Sequence, residues 1–346
     1  MAKRVAVIRG DGTGPELVEA TMSVFRAVGA TDDIEFIPCE AGAEYFHSAR
    51  SETYIPQETW DVLQSSDACL KGPTTTEPGP NTPRSVAVSI RQKFDLYANV
   101  RPVKTYRGFE GPLGSVDMFF VREGTEGLYS GIEFKLGDDA AAAVRKVTRK
   151  SSEKVIRFAF REAANRDWKK VIAINKANIL KVTDGLWLEV FRNVGSEYPS
   201  IERDEYFIDN FAQQLVKNPQ IFNRNVIVGT NLFMDVLTEE ASGLIGSIGM
   251  VYSANIGDSY AMFEPAHGSS PKYKGLDRVN PVATVLSGAW MLKYLGEEKK
   301  GGSIFSAVDE VVSEGKVLTY DLKGTAGTRE MASAIAKKAA DVLSSS

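Results

Sequence analysis

Histidine and cysteine are scarce in this chain: His47 and His267, Cys39 and Cys69 are the only ones among 346 residues. Two cysteines cannot staple a fold of this size, and without a Cys-x-x-Cys pair there is no thiolate set for structural zinc. Two histidines exclude a multi-histidine metal centre, so any metal bound here needs oxygen ligands. A basic excess is also missing. Lys and Arg number 41 against 45 Asp and Glu, a net charge of −4, which argues against duplex nucleic acid as a partner. Long apolar runs are absent too. Val5 to Ile8 is the only apolar stretch before Arg9, short of the roughly 7–15 residues of a secretory core. No stretch approaches the roughly 18 apolar residues of a membrane span. These absences predict a protein of the cytosol, or of an organellar matrix after loss of a transit peptide, with no membrane or nucleic-acid partner.

What is present is an ordinary globular composition, 43% apolar and 25% charged, long enough for roughly two domains. Short β-branched runs alternate with longer amphipathic stretches, the pattern of a sheet covered by helices. Strands are predicted at Val5–Ile8, Ile34–Pro38, Ala68–Lys71, Tyr97–Lys104, Met118–Arg122, Ile132–Leu136 and Val171–Ile174. Helices are predicted from Pro15 to about Val28, with Gly29 as the stop, and at Gln57–Gln64, Ser151–Asn165, Leu180–Val194, Phe211–Lys217 and Phe233–Ile245. Three more fall near Pro281–Tyr294, Ile304–Ser313 and Thr328–Ser344, while Ala30–Asp33 and Thr74–Pro83 read as loops. No linker or repeat interrupts the pattern, so two domains must be interwoven rather than strung in series.

Four constellations could carry chemistry. Gly10-Asp11-Gly12-Thr13-Gly14-Pro15 follows a strand and opens a helix, but its spacing is Gly-x-Gly-x-Gly-Pro. A dinucleotide fingerprint needs Gly-x-Gly-x-x-Gly, so a tight strand-to-helix turn is the simpler reading. Between Arg84 and Arg122 the chain carries seven Lys or Arg and three Asp or Glu, a local excess of +4. Singly these are solvated charges; converging on one cleft, forked guanidiniums would grip a di- or tricarboxylate. Asp235 and Glu239 stand four residues apart on a helical stretch, and Asp209 precedes them. An i, i+4 pair of carboxylates is either a surface pair or two oxygen ligands for Mg²⁺ or Mn²⁺. Finally, His267 to Gly275 is a Gly-rich basic loop suited to a phosphate or merely to the surface.

Taken together, these stretches resemble the isocitrate/isopropylmalate dehydrogenase family of metal-dependent β-decarboxylating dehydrogenases. The blocks run from Gly10–Glu16 through Asp95–Pro102, Thr125–Gly131 and Asn175–Ile179 to Ser253–Asp258, His267–Pro271 and Asn280-Pro281. The resemblance covers nearly the whole chain. It implies an α/β fold that is not a Rossmann fold. Residues 1–98 and 249–346 would form a large cofactor-side domain, and 99–248 a smaller dimerisation and substrate domain with a clasp near 130–148.

The same resemblance implies the site. Arg91, Arg101 and Arg122 correspond to the substrate carboxylate clamp, and Ser85 to the hydroxyl that meets the γ-carboxylate of isocitrate. Asp235 and Glu239 of one subunit, with Asp209 of its partner, would hold Mg²⁺ or Mn²⁺. Lys176, also from the partner, would take the hydroxyl proton, and Tyr129 would protonate C3 after loss of CO₂. A homodimer would then be the minimum active unit. Thr75, His267, Gly268, Lys272, Tyr273, Asn280 and Tyr320 correspond to the cofactor site. Lys272-Tyr273 and Tyr320 match the NADP users, since NAD users usually place an aspartate at position 272, although a second basic contact expected four residues after Tyr320 is Gly324.

The implied activity is oxidative decarboxylation of isocitrate to 2-oxoglutarate with NADP, NAD being the alternative. Ala87, Gly124, Asn175, Met234 and Glu239 depart from the residues common in isocitrate enzymes. They keep open homoisocitrate, isopropylmalate or a related 2-hydroxy-3-carboxy acid as substrate. They also keep open a non-catalytic regulatory subunit of a hetero-oligomer.

Overall fold

The computed structural model describes residues 2–79, 81–109 and 111–345; Pro80, within the loop read at Thr74–Pro83, lies outside them. In chain order the first half comprises β1 (Lys3–Ile8), α1 (Gly14–Ala27), α2 (Ala30–Asp33), β2 (Ile34–Cys39), α3 (Ala43–Ser48), α4 (Gln57–Gln64), β3 (Ala68–Lys71), α5 (Val86–Lys93), β4 (Ala98–Lys104), β5 (Asp117–Glu123), β6 (Glu133–Lys135) and β7 (Ala141–Ala143). The second half comprises α6 (Arg149–Asn165), β8 (Lys170–Asn175), α7 (Thr183–Ser196), β9 (Glu202–Phe207), α8 (Ile208–Lys217), β10 (Asn225–Gly229), α9 (Asn231–Leu244), β11 (Tyr252–Ile256), β12 (Ala261–Pro265), α10 (Val282–Tyr294), α11 (Glu298–Glu314) and α12 (Thr328–Ser344).

Ten strands form one sheet in the order β2-β1-β3-β12-β11-β4-β5-β10-β8-β9. Two parallel blocks, β2-β1-β3-β12 and β5-β10-β8-β9, flank a centre in which β12-β11, β11-β4 and β4-β5 are antiparallel. A parallel block needs crossover helices on its faces, which is why the outer strands alternate with helices. The antiparallel centre instead sets residues from distant parts of the chain side by side. Asn99 lies opposite both Arg122 and Asn255, and Ser253 lies opposite Glu264. The largest core packs α1, α10, α11 and α12 against the sheet; a second lies beneath α6 and α7, and a third beneath α4 and α5. α10 is buried almost throughout, as a helix apolar on all sides must be.

Most predicted elements fall within a few residues of those observed. Gly29 does terminate the first helix, adopting φ +65°, a left-handed conformation that costs glycine least. Ala30–Asp33 is one helical turn rather than a loop. The sequence reading missed α3, α5, β7, β9, β10, β11 and β12. β9 carries Glu202, Arg203, Asp204 and Glu205 at the sheet edge, where charge protects against edge pairing and hides the apolar alternation. Cys39 and Cys69 are both free and buried. Among the described residues no helix is long and apolar enough to cross a membrane.

Candidate active site

Arg101 on β4 and Arg122 on β5 project from the antiparallel centre, and Arg91 comes from α5; all three are buried. Burial of a guanidinium is costly unless it is hydrogen-bonded and paired, and each has its partners. Arg91 Nε donates to Asn255 Oδ1 (2.7 Å) and its Nη2 to Glu264 Oε1 (3.2 Å). Arg101 donates to Asn99 (3.2 Å), Thr238 (2.8 Å), Glu239 (3.2 Å) and Asp235 (3.4 Å). Arg122 donates twice to Asn231 Oδ1 (3.0 and 2.7 Å) and also to Asp235. Burial, with the neighbouring charges of Arg91 and Arg101, pushes Arg122 down to about 10. This concentration of positive charge favours an anion.

The carboxylates facing it sit on α9. Burial works to raise Asp235, but Arg122 and Arg101 hold it below its ordinary range. Glu239, one turn along, is pushed upward by burial, with Arg101 opposing and Asp235 adding to the push. The Tyr129 hydroxyl donates to Asp235 Oδ2 at 2.6 Å while Arg122 lies 4.9 Å from the centre of its ring. Burial and the bond to Asp235 raise the phenol, so it holds its proton. Ser85 occupies the N-cap position of α5 without bonding the helix N–H groups.

Behind this layer runs a second set of contacts that the sequence reading did not single out. Glu264 accepts from Lys71 Nζ (2.8 Å), Arg91 and Asn255 Nδ2 (2.8 Å), and Asn255 also accepts from Asn99 (2.8 Å). Despite complete burial, which works to raise it, Lys71 and Arg91 draw Glu264 down to about 2. The available signal was an isolated charge within an apolar run, Glu264 after Ala261–Phe263 and Lys71 after Ala68–Leu70.

Lys176, just past β8, and Asp209, at the start of α8, form an ion pair of 2.6 Å. Asp209 is not gathered with Asp235 and Glu239: among the described residues, no three His, Cys, Asp or Glu side chains form a group able to hold a metal ion. The chain therefore presents two separate clusters, an Asp235–Glu239 pair beside the arginines and a Lys176–Asp209 pair elsewhere. Exposed apolar side chains accompany them: Ile179, Val182, Phe207 and Val236, with Ile132, Phe134, Leu136 and Val144 on the β6–β7 hairpin. All-oxygen donors and a like-charged pair with one member pushed up suit a hard divalent cation.

Predicted cofactor residues gather around the Gly10–Pro15 turn, which acts as a tie. Asp11 accepts from the N–H groups of Ala43 (3.0 Å), Glu44 (2.8 Å) and Thr75 (2.7 Å). Thr13 donates through both its N–H (2.9 Å) and its hydroxyl (3.1 Å) to Ser269 O, and Thr75 Oγ1 meets Ser269 Oγ at 2.6 Å. A pocket of about 80 Å³ beside this turn is lined by Thr13, Ile248, Gly249, His267, Asn280 and Tyr320. Asn280 is held by Asp321 (2.9 Å). His267 lies against the neighbouring Gly268 carbonyl (3.0 Å), while its Nε2 is buried with no partner. Burial lowers His267, so the ring is neutral and keeps one nitrogen for a ligand. An unpartnered buried nitrogen in a small pocket fits a purine edge. At its mouth Tyr273 and Tyr320 lie 5.7 Å apart, with Lys272 4.9 Å from the Tyr273 ring.

Three of the departures have local explanations. A Cβ at Gly124 would stand 2.5 Å from Leu96 O, leaving no room for a side chain. Met234 is fully buried and fills the space over Gly229. Asn175 donates to Tyr206 O (3.1 Å) and accepts from Ala177 N (3.0 Å), which secures the backbone leading to Lys176. Nothing in the structure explains Ala87.

The isocitrate/isopropylmalate dehydrogenase family profile matches residues 4–335. A 3-isopropylmalate/3-methylmalate dehydrogenase of Methanocaldococcus jannaschii is 40% identical over 339 residues, covering 97% of this chain and 98% of that protein. An NADP isocitrate dehydrogenase of Thermus thermophilus is 41% identical over 324 residues, 93% of this chain and 64% of that protein. The crystal structure of isocitrate dehydrogenase from Methylococcus capsulatus superposes with a TM-score of 0.92 at 40% identity, covering 97% of this chain and 99% of the other. The chain has that fold, and it belongs to the isocitrate/isopropylmalate dehydrogenase family of decarboxylating hydroxy-acid dehydrogenases, which generally use NAD(P) and a divalent metal.

Proposed function

We propose that this chain is an NADP-dependent isocitrate dehydrogenase that works as a homodimer with shared active sites. The observation that carries the reading is the packing of Arg91, Arg101 and Arg122 opposite Asp235 and Glu239, with burial and the charges of Arg91 and Arg101 lowering Arg122. A tricarboxylate would offer these forked guanidiniums carboxylate partners of its own beside Asp235 and Glu239. Residues 99–248 would form the smaller, dimerising domain, closing over the substrate from β5 and α9, with the exposed apolar hairpin at β6–β7 as its clasp.

Arg91, Arg101 and Arg122 would hold two substrate carboxylates, and the free Ser85 hydroxyl the third. Asp235, Glu239 and Asp209 of the partner subunit would hold Mg²⁺ or Mn²⁺. When bound, the cation supplies Lewis-acid stabilisation of charge building on substrate oxygens, and NADP supplies the hydride acceptor. Lys176 of the partner subunit would accept the proton of the substrate hydroxyl as hydride leaves C2. Tyr129, kept protonated by burial, would deliver a proton to C3 once CO₂ has left. Lys272, Tyr273 and Tyr320 would receive the cofactor's 2′-phosphate, while His267 and Asn280 would flank its adenine.

The test is NAD(P)H absorbance in the presence of Mn²⁺ with isocitrate, homoisocitrate and 3-isopropylmalate in turn, each with NADP⁺ and NAD⁺ and a chelator control. The expected result is metal-dependent turnover fastest with isocitrate and NADP⁺. Higher kcat/KM with isopropylmalate or homoisocitrate refutes the substrate assignment, and no turnover with any acid favours a regulatory subunit. Turnover that survives complete metal removal refutes the mechanism.

A further inference from the structure

We propose that Arg278 is the second cation for the 2′-phosphate of the cofactor's adenosine ribose, and so a specificity-determining residue of this chain. The inference rests on the reading of NADP as cofactor. Position 324 cannot carry a cation. A Cβ there would stand 1.9 Å from Leu318 O, and Gly324 N–H closes a turn onto Thr319 O at 3.0 Å. The backbone itself excludes any side chain, so a second cation at this site has to come from another segment.

Arg278 lies beside the same two tyrosines and can supply it. Its guanidinium carbon lies 4.7 Å from the centre of the Tyr320 ring and 5.8 Å from that of Tyr273, while Lys272 lies 4.9 Å from the Tyr273 ring on the same mouth. Two cations and two phenols thus cluster around Tyr320, which lines the small pocket. The neighbouring carboxylates have hydrogen-bond or ion-pair partners other than Lys272 and Arg278. Glu44 pairs with Lys274 (2.7 Å), Asp277 accepts from the Arg329 (3.0 Å) and Thr328 backbones through its carboxylate and carbonyl, and Asp321 accepts from Asn280 (2.9 Å) and Thr319 (2.6 Å). Among the described residues, Lys272 and Arg278 form no ion pair of their own. Aromatic faces stabilise exposed cations only weakly, and a phosphate dianion beside these rings would supply the counter-charge that Lys272 and Arg278 lack. Stacking on Tyr320 also orients the guanidinium fork, so Arg278 can donate two parallel bonds where Lys272 acts as a point charge.

The test is calorimetric titration of the intact dimer with adenosine 2′,5′-bisphosphate and with 5′-AMP, which differ only in the 2′-phosphate. The wild type should prefer the bisphosphate. Arg278→Gln should weaken the bisphosphate by about tenfold, the scale of one charge-assisted contact at a solvent-accessible site, and leave 5′-AMP unchanged; Arg278→Lys should recover part of the loss. A bisphosphate to 5′-AMP ratio that stays within about twofold of wild type in Arg278→Gln overturns the role of Arg278 while leaving NADP as cofactor. Equal loss of both ligands means the side chain only shapes the pocket, and also overturns it. A wild type with no preference for the bisphosphate refutes the NADP reading itself.

Discussion

Glu264→Gln removes the one carboxylate that Lys71 and Arg91 share in the dry interior. Glu264 is held at about 2 against an ordinary 4.5, which corresponds to about 3 kcal/mol of stability at neutral pH. Leaving two buried cations without their counter-charge gives a similar figure, about 3–5 kcal/mol. The folded-state value is depressed, so this contribution is complete above about pH 4.5 and is lost as pH falls toward 2. A protonated Glu264 is nearly isosteric with glutamine, so the stability gap between wild type and variant should shrink in the same window. About 2 kcal/mol of it should be gone by pH 3. Urea unfolding at fixed protein concentration between pH 8 and pH 3 measures the gap, and other titrating groups cancel in the difference. A gap below about 1 kcal/mol at pH 7, or one that stays constant from pH 5 to pH 3, would show that Glu264 is not the ionised centre of this network.

Subunits carrying Lys176→Met and subunits carrying Asp235→Asn should each be inactive as homodimers. Refolded together, they should recover about a quarter of wild-type activity, because a shared-site dimer rebuilds one intact site in half of the molecules; no recovery would mean that each subunit holds a complete site. Tyr129→Phe should lower kcat by about 10²–10⁴-fold while KM for isocitrate changes little, and a loss confined to KM would show that the hydroxyl binds rather than transfers a proton. Arg122→Lys should raise KM for isocitrate at least about tenfold, since a point charge cannot replace a fork that meets both Asn231 and Asp235; an unchanged KM would remove Arg122 from the clamp.

Much of the fold was legible because local signals agree with it. Gln57–Gln64, Ala68–Lys71 and Thr328–Ser344 appear within the bounds that their apolar spacing predicts, and Gly29 ends its helix in the conformation glycine tolerates best. The strands that were missed are short. β10 offers three β-branched residues between Asn225 and Gly229, and β9 is mostly charge, so neither shows the alternation that marks a half-buried strand. Candidate site residues were legible by type, the arginine excess and the i, i+4 carboxylates above all. Their meeting was not: Arg101 and Asp235 are 134 residues apart in the chain.

Sequence alone determined the chemistry available: oxygen ligands for any metal, a surplus of arginine for an anion, and an order of blocks that resembles one enzyme family. Those properties belong to residue types and local spacing, which survive in an unfolded chain. Tertiary structure decided which charges meet. The antiparallel centre of the sheet sets Asn99 beside Arg122 and Asn255, and Glu264 is drawn in beneath Arg91. The backbone of Leu318 closes position 324 and leaves Arg278 as the cation facing Tyr320. Partner choice among charges depends on distance and burial, and only the folded chain has both.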